Sequence, residues 1–244
     1  MGDADVCRLL DWDSQFFGRR IARVAAHRLD QDLADVVVAW AKRHAVDCLY
    51  FLADADDAET LRLAQHHGFH QVDVRVTFER PIDAAPPPAT AVMDLVVRSA
   101  TAADRPVLGA LARISHRDTR FYYDPRFPRS QCDALYETWI DKSLAGSADA
   151  VLVIDHAGTA QGYLSCHIDD SQTGSIGLFA VGTALQGRGA GRALLSEALR
   201  WFAEHGRRRV SVVTQERNAR ARRFYEAAGF KRQTAQVWYH RWCE

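Results

Sequence analysis

The sequence predicts an α/β fold in which a mixed central sheet is flanked by helices. The strongest support comes from residues 175–202, where an apolar run of β character meets a glycine-rich turn and then a helix with its apolar residues on one face. Alternating runs at 71–78 and 209–214 add further strands. The chain has 244 residues, 48% hydrophobic and 25% charged, which is enough for one large domain or two small ones.

The glycine-rich turn predicts an anion site. Glycines at 187, 189 and 191 remove Cβ atoms where the loop bends, so backbone amides and the positive end of the following helix can converge on a phosphate. A P-loop would need a Lys after these glycines, and a Rossmann turn would need another glycine spacing. The segment from Gln186 to Gly191 instead has the pattern Gln/Arg-x-x-Gly-x-Gly/Ala. A purely structural glycine turn is the alternative.

A second segment, residues 218–230, predicts a helix that faces the same ligand. Its sequence is Asn218-Ala-Arg-Ala-Arg-Arg-Phe-Tyr225-Glu-Ala-Ala-Gly229-Phe230. On a helix, Asn218 and Tyr225 lie along one side, and Gly229 ends the helix so that Phe230 returns to the core. The alternative is a capped amphipathic helix with a tyrosine in the core.

Together, the two segments resemble the signatures of the GNAT superfamily of acetyl-CoA-dependent acyltransferases. The second matches Asn-x-x-Ala-x-x-x-Tyr-x-x-x-Gly-Phe. The element order expected for residues 95–242, βααβββαβαβ, is the order of the GNAT acyl-CoA N-acyltransferase fold. The resemblance therefore implies this fold over about 150 residues and an acetyl-CoA N-acetyltransferase that needs no metal.

The resemblance also implies site residues. Tyr225 matches the tyrosine that protonates the departing thiolate, and Asn218 would hold the pantetheine arm. Backbone groups of the strand before the loop would pair with pantetheine and face the thioester. The residues expected to bind acetyl-CoA are Phe179, Ala180, Val181, Gln186, Gly187, Arg188, Gly189, Ala190, Gly191, Arg192 and Asn218. The general base stays open among His116, His167, Asp169, Asp170, Glu216, a water chain, and an amine that arrives neutral.

Three consecutive prolines at 86–88 predict a division of the chain, because neither a helix nor a central strand accepts them. We expect a small N-terminal domain at 1–80, a Pro-rich linker at 81–92 and the GNAT domain at 93–244. With Gly68-Phe69 set on Gly229-Phe230, the first domain follows the same plan and is a partial GNAT-like copy. It is expected to be non-catalytic, because Asp57 takes the place of Asn218 and Ala64 that of Tyr225. A chance similarity is the alternative.

An aromatic segment, residues 118–129, and the helix after it predict one wall of the acceptor site. The expected substrate-binding residues are Arg120, Tyr122, Tyr123 and Tyr136. The alternative is that these aromatic residues are buried at a domain interface. Together with residues 9–18 and 67–74, they resemble the two-domain TDP-fucosamine acetyltransferase group. That resemblance implies acetylation of the 4-amino group of a nucleotide-linked amino-deoxy sugar. A protein or peptide N-acetyltransferase and a non-catalytic acyl-CoA-binding module remain alternatives.

Charge and composition limit the partners. The net charge is zero, which argues against nucleic acid, but residues 186–244 hold 13 Lys and Arg against 5 Asp and Glu, so they sum to +8 and the rest to −8. This excess suits a ligand with three phosphate groups; Arg188, Arg217, Arg220, Arg222 and Arg223 either contact it or form a solvated face. Five scattered cysteines show no metal-ligand spacing. We expect a cytoplasmic protein without membrane contact; a homodimer stays open.

Overall fold

The computed structural model describes residues 6–82, 95–169 and 172–243. Within these ranges, ten strands form one mixed sheet, and seven α-helices cover it. The strands are β1 (Cys7–Leu9), β2 (Ile21–Val24), β3 (Cys48–Asp54), β4 (His70–Pro81), β5 (Leu95–Ser99), β6 (Ala150–His156), β7 (Thr159–Ile168), β8 (Thr173–Val181), β9 (Arg209–Gln215) and β10 (Lys231–Trp242). The helices are α1 (Asp11–Phe17), α2 (Gln31–Arg43), α3 (Ala58–His66), α4 (Arg105–Ser115), α5 (Arg129–Lys142), α6 (Ala190–Glu204) and α7 (Ala219–Ala227).

The two halves of the chain share this sheet, and each half contributes one strand that pairs with strands of the other half. The strand order is β1-β2-β3-β10-β4-β9-β8-β7-β6-β5. The last strand, β10, thus lies between β3 and β4, and β4 lies between β10 and β9. The β2–β3 and β8–β9 pairs are parallel, and the other pairs are antiparallel. The sheet is continuous where the sequence predicts a domain boundary, most of which lies outside the described residues; the domain limits stay a prediction.

The predicted repeat is present in the secondary structure. A constant shift of 161 residue numbers carries β3, α3 and β4 onto β9, α7 and β10, so that their first residues move from 48 to 209, from 58 to 219 and from 70 to 231. The same shift relates Arg75 to Gln236, and these two residues pair directly across the β4–β10 ladder. The two halves are therefore related by an approximate twofold axis that passes near this residue pair.

The sheet has two faces with different covers. We call the face that carries Tyr50 and Tyr163 the front face, and the face that carries Leu49 and Leu164 the back face. Helices α1, α4 and α5 pack on the front in one aromatic core. On the back, α2 and α3 cover one half of the sheet, and α6 and α7 cover the other. Side chains alternate between the faces along each strand.

Two local expectations were wrong. The aspartates, serine and glycine in residues 11–18 predict a turn, but these residues form α1, which ends at Gly18 in a left-handed conformation (φ 62°). Trp12 and Phe16, one turn apart, stack with ring centroids 5.0 Å apart, and Phe17 is buried, so aromatic packing favours a helix here. The helical spacing of Leu108, Leu111 and Ile114 in α4 predicts that all three point inward, yet Ile114 is 58% exposed.

Candidate functional site

Strands β8 and β9 pair over only part of their length and then separate. The parallel pairing runs from Thr173 and Arg209 to Ile176 and Val212, although β8 continues to Val181 and β9 to Gln215. On its other side, β8 has a bulge, where the Leu178 amide donates to Ser165 Oγ at 2.8 Å. A V-shaped gap therefore opens between the carboxyl ends of the two strands.

Alternate residues of β8 present their backbone groups to this gap. The amides of Leu178 and Gly182 point toward β7, where they donate to Ser165 Oγ and to the Gln161 carbonyl. Because backbone groups alternate along a strand, those of Phe179 and Val181 face the gap. The backbone of Ala180 faces β7, so it does not supply the pantetheine contact expected from it.

The loop after β8 is a cluster of free amides. Gly187 and Gly189 have φ values of 77° and 83°, which favour glycine, and Gly189 is the N-cap of α6. In the part of the chain that the structure describes, the amides of Gly187, Gly189, Ala190 and Gly191 donate to no group. The loop therefore fits an anionic group such as a diphosphate.

Basic side chains surround this loop. A surface cleft of about 700 Å³ is lined by the loop and by Arg188, Arg192, Arg220 and Arg223. Arg220 Nη1 donates to Gln186 Oε1 at 2.7 Å, and Gln186 Nε2 donates to the Val181 carbonyl at 2.9 Å. Gln186 therefore connects α7 to β8 and holds the loop in position.

The other two arginines of the predicted phosphate set lie elsewhere. Arg222 pairs with Glu216 at 2.9 Å. The guanidinium of Arg217 lies 3.4 Å above the ring of Tyr123, and its Nε is 3.4 Å from Asp73. Both are accounted for by contacts within the protein.

A second cavity, of about 360 Å³, occupies the gap and adjoins the loop cleft. It brings together the residues expected from the sequence, with Asn218 and Tyr225 on one side and Phe179, Ala180 and Val181 on the other. Its remaining wall comes from α4, which the sequence did not indicate, and from the first residue of the segment 118–129, which the sequence predicts to form a wall of the acceptor site. These residues are Leu111, Ile114, Ser115 and Asp118.

Tyr225 lies in this cavity with its hydroxyl available. The side chain is 5% exposed and packs against Phe78 and Phe230, and its hydroxyl bonds to no described residue. Burial raises the pKa of Tyr225, so the phenol is protonated at neutral pH. It can donate a proton to a group that enters the gap.

Comparison with known proteins identifies this arrangement. A family model described as "Acetyltransferase (GNAT) family" matches residues 111–230, from α4 to the end of the α7 motif. These residues are a GNAT acetyltransferase domain. The expected fold class and the assignment as an acetyltransferase are confirmed. Acetyltransferases of this family use acetyl-CoA, and the free amides and arginines of the loop fit its phosphate groups.

Two curated relatives extend the match. The dTDP-fucosamine acetyltransferase of Escherichia coli O6:H1 is 28% identical over 235 residues, which cover 95% of this chain and 96% of the relative. The spore coat polysaccharide biosynthesis protein SpsD of Bacillus subtilis (strain 168) is 30% identical over 139 residues, 57% of this chain. That match spans about half of SpsD, 48% of its length.

Solved structures agree on the fold. A GCN5-related N-acetyltransferase from Sphaerobacter thermophilus superposes with a TM-score of 0.69 at 18% identity, covering 97% of this chain and 76% of that one. The similarity includes the N-terminal half, which lies outside the GNAT domain match. The fold of nearly the whole chain therefore has a counterpart among solved GNAT structures.

Asn218 faces the cavity and also has a structural role in the GNAT domain. Its Oδ1 accepts the Ala221 amide at 2.9 Å and so caps α7. Its counterpart in the other half, Asp57, caps α3 in the same way through the Thr60 amide at 3.2 Å. Only Asn218 lines the cavity of the gap.

This symmetry gives a matched pair of variants. We expect Asn218→Ala and Asp57→Ala each to lower the free energy of unfolding by about 1 kcal/mol, because each loses a helix cap. Only Asn218→Ala should also raise the KM for acetyl-CoA several-fold. Denaturant unfolding and initial rates measure the two effects; equal KM values in both variants would contradict a role for Asn218 in binding.

The aromatic segment is mostly inside the front core. The Arg120 guanidinium lies 4.0 Å above Tyr50 and 4.2 Å above Trp238, and its Nη1 donates to His240 Nε2 at 3.0 Å. His240 Nδ1 in turn donates to Asp124 at 2.7 Å. Arg120 is thus fixed by a buried chain of hydrogen bonds.

The tyrosines expected to bind substrate divide into two groups. Tyr122 and Tyr136 are 8% and 4% exposed, and their hydroxyls donate to Asp133 at 2.5 Å and to Thr119 at 2.8 Å. This burial favours the interface alternative for both and contradicts direct contact with substrate. Tyr123 is 52% exposed, so its role in binding stays a prediction.

Most candidates for the general base already form ion pairs or hydrogen bonds within the protein. Glu216 pairs with Arg222 and Arg232, and Asp169 accepts from Ser175 at 3.0 Å. His167 Nε2 lies 3.2 Å from Ser165 Oγ. His116 Nε2 bonds to the hydroxyl of Tyr163 at 2.7 Å. Asp170 lies outside the described residues.

Sequence reasoning missed two carboxylates. Asp118 lines the cavity in the gap. Asp73, on the front face of β4, is 2% exposed, and burial raises its pKa to about 6. The signal for Asp73 was present in the sequence, since it follows the Gly-Phe of the N-terminal repeat by four residues, but no local pattern shows that it is buried.

Two histidines, the partly buried His116 and the buried His240, make stability depend on pH. Burial lowers the pKa of His116 from 6.5 to about 4, and burial also lowers the pKa of His240, whose Nε2 must be unprotonated to accept from Arg120. When the pKa of a histidine is lower in the folded protein than in the unfolded chain, the unfolded chain binds a proton at pH values where the folded protein does not. Stability from such a group is complete above pH 6.5 and is lost as the pH falls toward 4.

We expect this loss to be measurable for His116 alone. Between pH 7.5 and 4.5, the free energy of unfolding of His116→Gln should fall by about 2 kcal/mol less than that of the unmodified protein. The raised pKa of Asp73 changes the free energy of unfolding in the opposite direction. It does so equally in the unmodified protein and in the variant, so it cancels from the comparison. Urea unfolding at the two pH values measures the difference, and exposed His66→Gln is the control. Parallel losses in all three proteins would contradict a partly buried, neutral His116.

Other site types gain no support from the described ranges. They contain no cluster of three or more His, Cys, Asp or Glu that could hold a metal ion, and their cysteines are free. Among the helices of the same ranges, none has the length and hydrophobicity to cross a bilayer.

Proposed function

We propose that this protein uses acetyl-CoA to acetylate a primary amine, the 4-amino group of a nucleotide-linked amino-deoxy sugar. The observation that carries the proposal is the cavity in the β8–β9 gap, which adjoins the anion-binding loop and contains Tyr225. Support for the acceptor comes from the relative named dTDP-fucosamine acetyltransferase, which matches nearly the whole chain.

Each group of residues in the gap has a different role in acyl transfer. The loop from Gly187 to Gly191 holds the phosphates, while backbone groups of Phe179 and Val181 align the pantetheine arm and polarise the thioester carbonyl. Tyr225 protonates the departing thiolate. The attacking amine must lose a proton, and Asp118, the acidic residue of the cavity lining, accepts it directly or through water.

The front wall of the cavity favours a small acceptor over a peptide. Of its described lining residues, Asp118 alone is acidic, whereas a groove for a peptide with a free amino terminus would be rimmed by several carboxylates. The side chains of Leu111, Ile114 and Phe179 give an apolar opening that suits one ring of a sugar.

The test is release of free coenzyme A thiol from acetyl-CoA. The acceptor panel contains deoxythymidine diphosphate and uridine diphosphate derivatives of 4-amino-4,6-dideoxy sugars, a 2-amino sugar nucleotide, and peptides with free amino termini. We expect turnover with a 4-amino sugar nucleotide. Turnover only with peptides would replace the proposed acceptor, and binding of acetyl-CoA without turnover on any amine would leave the protein a binding module.

A further inference from the structure

The middle of the front face is a polar strip of sheet outside the aromatic core. No residue of β4 or β9 belongs to the aromatic core under α1, α4 and α5. The front-facing side chains here include Asp73, Arg75 and Gln215, and Val213 is 38% exposed. The strip is bounded by α1 on one side and α4 on the other. We call it the front trough.

Three arginines lie on the front face of the sheet, one in the front trough on β4 and two at its outer edge on β1 and β2. Arg8 and Arg23 stand directly opposite each other in the β1–β2 pair, a placement of like charges that destabilises a sheet. The Arg23 guanidinium lies 5.2 Å above the ring of Trp238. Arg75 lies on β4, beside the strand that carries Trp238.

These three arginines lack an ion-pair partner within the described residues, and Asp73, which lies on the same face of β4 as Arg75, pairs with Arg217 instead. None of them forms an ion pair there, and Arg75 Nε is buried without a hydrogen-bond partner. Burial lowers the pKa of Arg23, and the charges of Arg8, Arg120 and Arg75 lower it further. By contrast, Arg98 elsewhere on the sheet binds two carboxylates, Asp104 and Asp155. Arg8 is exposed, whereas Arg23 and Arg75 are partly buried. A partly buried cation without a partner costs free energy unless an external anion supplies one.

The front trough begins where the acetyl group would arrive. Arg75 faces Gln215 of β9, beyond Val212, the last residue that pairs with β8. Strand β4 lies next to β9 at the gap, and β2 lies three strands further across the sheet. The Arg23 side chain reaches back from β2 over Trp238 of β10. The phosphate loop is on the back, where Ala190 packs in the back core. The two cationic sites are therefore on opposite faces.

We propose that Arg75, Arg23 and Arg8 bind the diphosphate of the acceptor and so select nucleotide-linked amines over free ones. An acceptor with its amine at the gap extends across β4 and β10, and its phosphates meet the arginines in turn. Arginine suits this task because its planar guanidinium donates two parallel hydrogen bonds to a phosphate. The assignment rests on the proposed function for its acceptor, but not for the anion site itself.

Steady-state kinetics test the selection. We expect Arg75→Gln and Arg23→Gln each to raise the KM for the nucleotide-linked acceptor by about tenfold or more, with the kcat and the KM for acetyl-CoA within about twofold of the unmodified protein. The same variants should leave kcat/KM unchanged for the methyl glycoside of the same amino sugar, which has no phosphate. Arg62→Gln, at an exposed ion pair on α3, is the matched control. An unchanged KM for the nucleotide-linked acceptor overturns the proposal.

Calorimetry separates the anion site from the proposed function. Deoxythymidine diphosphate alone should bind the unmodified protein and bind Arg75→Gln about tenfold more weakly. If it binds in this way while no amino sugar nucleotide is acetylated, the anion site stands and the proposed acceptor fails. If it does not bind the unmodified protein, or binds the variants equally well, the anion site is overturned.

Melting temperature distinguishes a ligand-binding arginine from a structural one. Arg75→Gln removes an unpaired charge, so we expect its melting temperature without ligand to equal or exceed that of the unmodified protein. A lower melting temperature for both Arg75→Gln and Arg23→Gln would mean that the arginines hold the sheet together, and it would overturn the proposal.

Discussion

Replacing Tyr225 by Phe is expected to lower kcat by about two to four orders of magnitude while the affinity for acetyl-CoA stays within about twofold. The phenol is the proton donor that the cavity offers to the leaving thiolate, and Phe keeps the ring that packs against Phe78 and Phe230. Because no described group bonds to the hydroxyl, its removal should change the free energy of unfolding by less than about 1 kcal/mol. Thiol release and calorimetric titration with acetyl-CoA measure the two quantities.

Tyr239→Phe is the matched control. Tyr239 is also buried, at 1% exposure, but it lies in the back core of the N-terminal half, away from the gap. Its variant should retain full turnover. If Tyr225→Phe keeps more than about a tenth of the original kcat, the thiolate is protonated by another group, and the assignment of the acid is wrong.

The site elements that the sequence predicted are local ones. The loop needs glycine at 187 and 189 because both have positive φ, and α7 needs Asn218 because that side chain caps it. Each requirement is met by residues a few positions apart, so it is visible as a short pattern. The burial of Tyr225 also follows from local spacing, since Gly229 ends the helix one turn later.

The parts that the sequence did not predict depend on long-range pairing. The exchange of β4 and β10 joins residues about 160 positions apart, and neither strand carries a local sign of its neighbour. The burial of the aromatic segment also depends on this long-range pairing, because His240, which holds Arg120 in place, lies on the exchanged strand β10. Arg8, Arg23 and Arg75 come from three separate strands, so their common trough is a property of the sheet order.

The approximate symmetry shows which features the two halves share and which they do not. Both halves keep what the fold needs, namely the caps Asp57 and Asn218 and the glycines after α3 and α7. Only the second half has the glycine loop and Tyr225, whose place in the first half is taken by Ala64. The first half instead contributes β4, which carries Asp73 and Arg75 to the front face beside the gap.

Gly187→Val is expected to raise the KM for acetyl-CoA by at least about tenfold. Gly187 has a φ of 77°, and a Cβ there meets no protein atom within 4 Å, so a side chain projects into the phosphate cleft. The β-branched residue also disfavours the conformation that gathers the amides, at a cost of about 1–2 kcal/mol. Initial rates over a range of acetyl-CoA concentrations measure the effect.

Gly206→Val separates strain from ligand binding. Gly206 follows the other end of α6, with a φ of 73° and nothing within 4 Å of its Cβ position, so the same substitution costs similar stability there. We expect the two variants to lose equal free energy of unfolding in denaturant, and only Gly187→Val to lose affinity for acetyl-CoA. Equal KM values would mean that the loop acts only as a turn, because the one feature that distinguishes the two glycines is the set of free amides at the start of the helix.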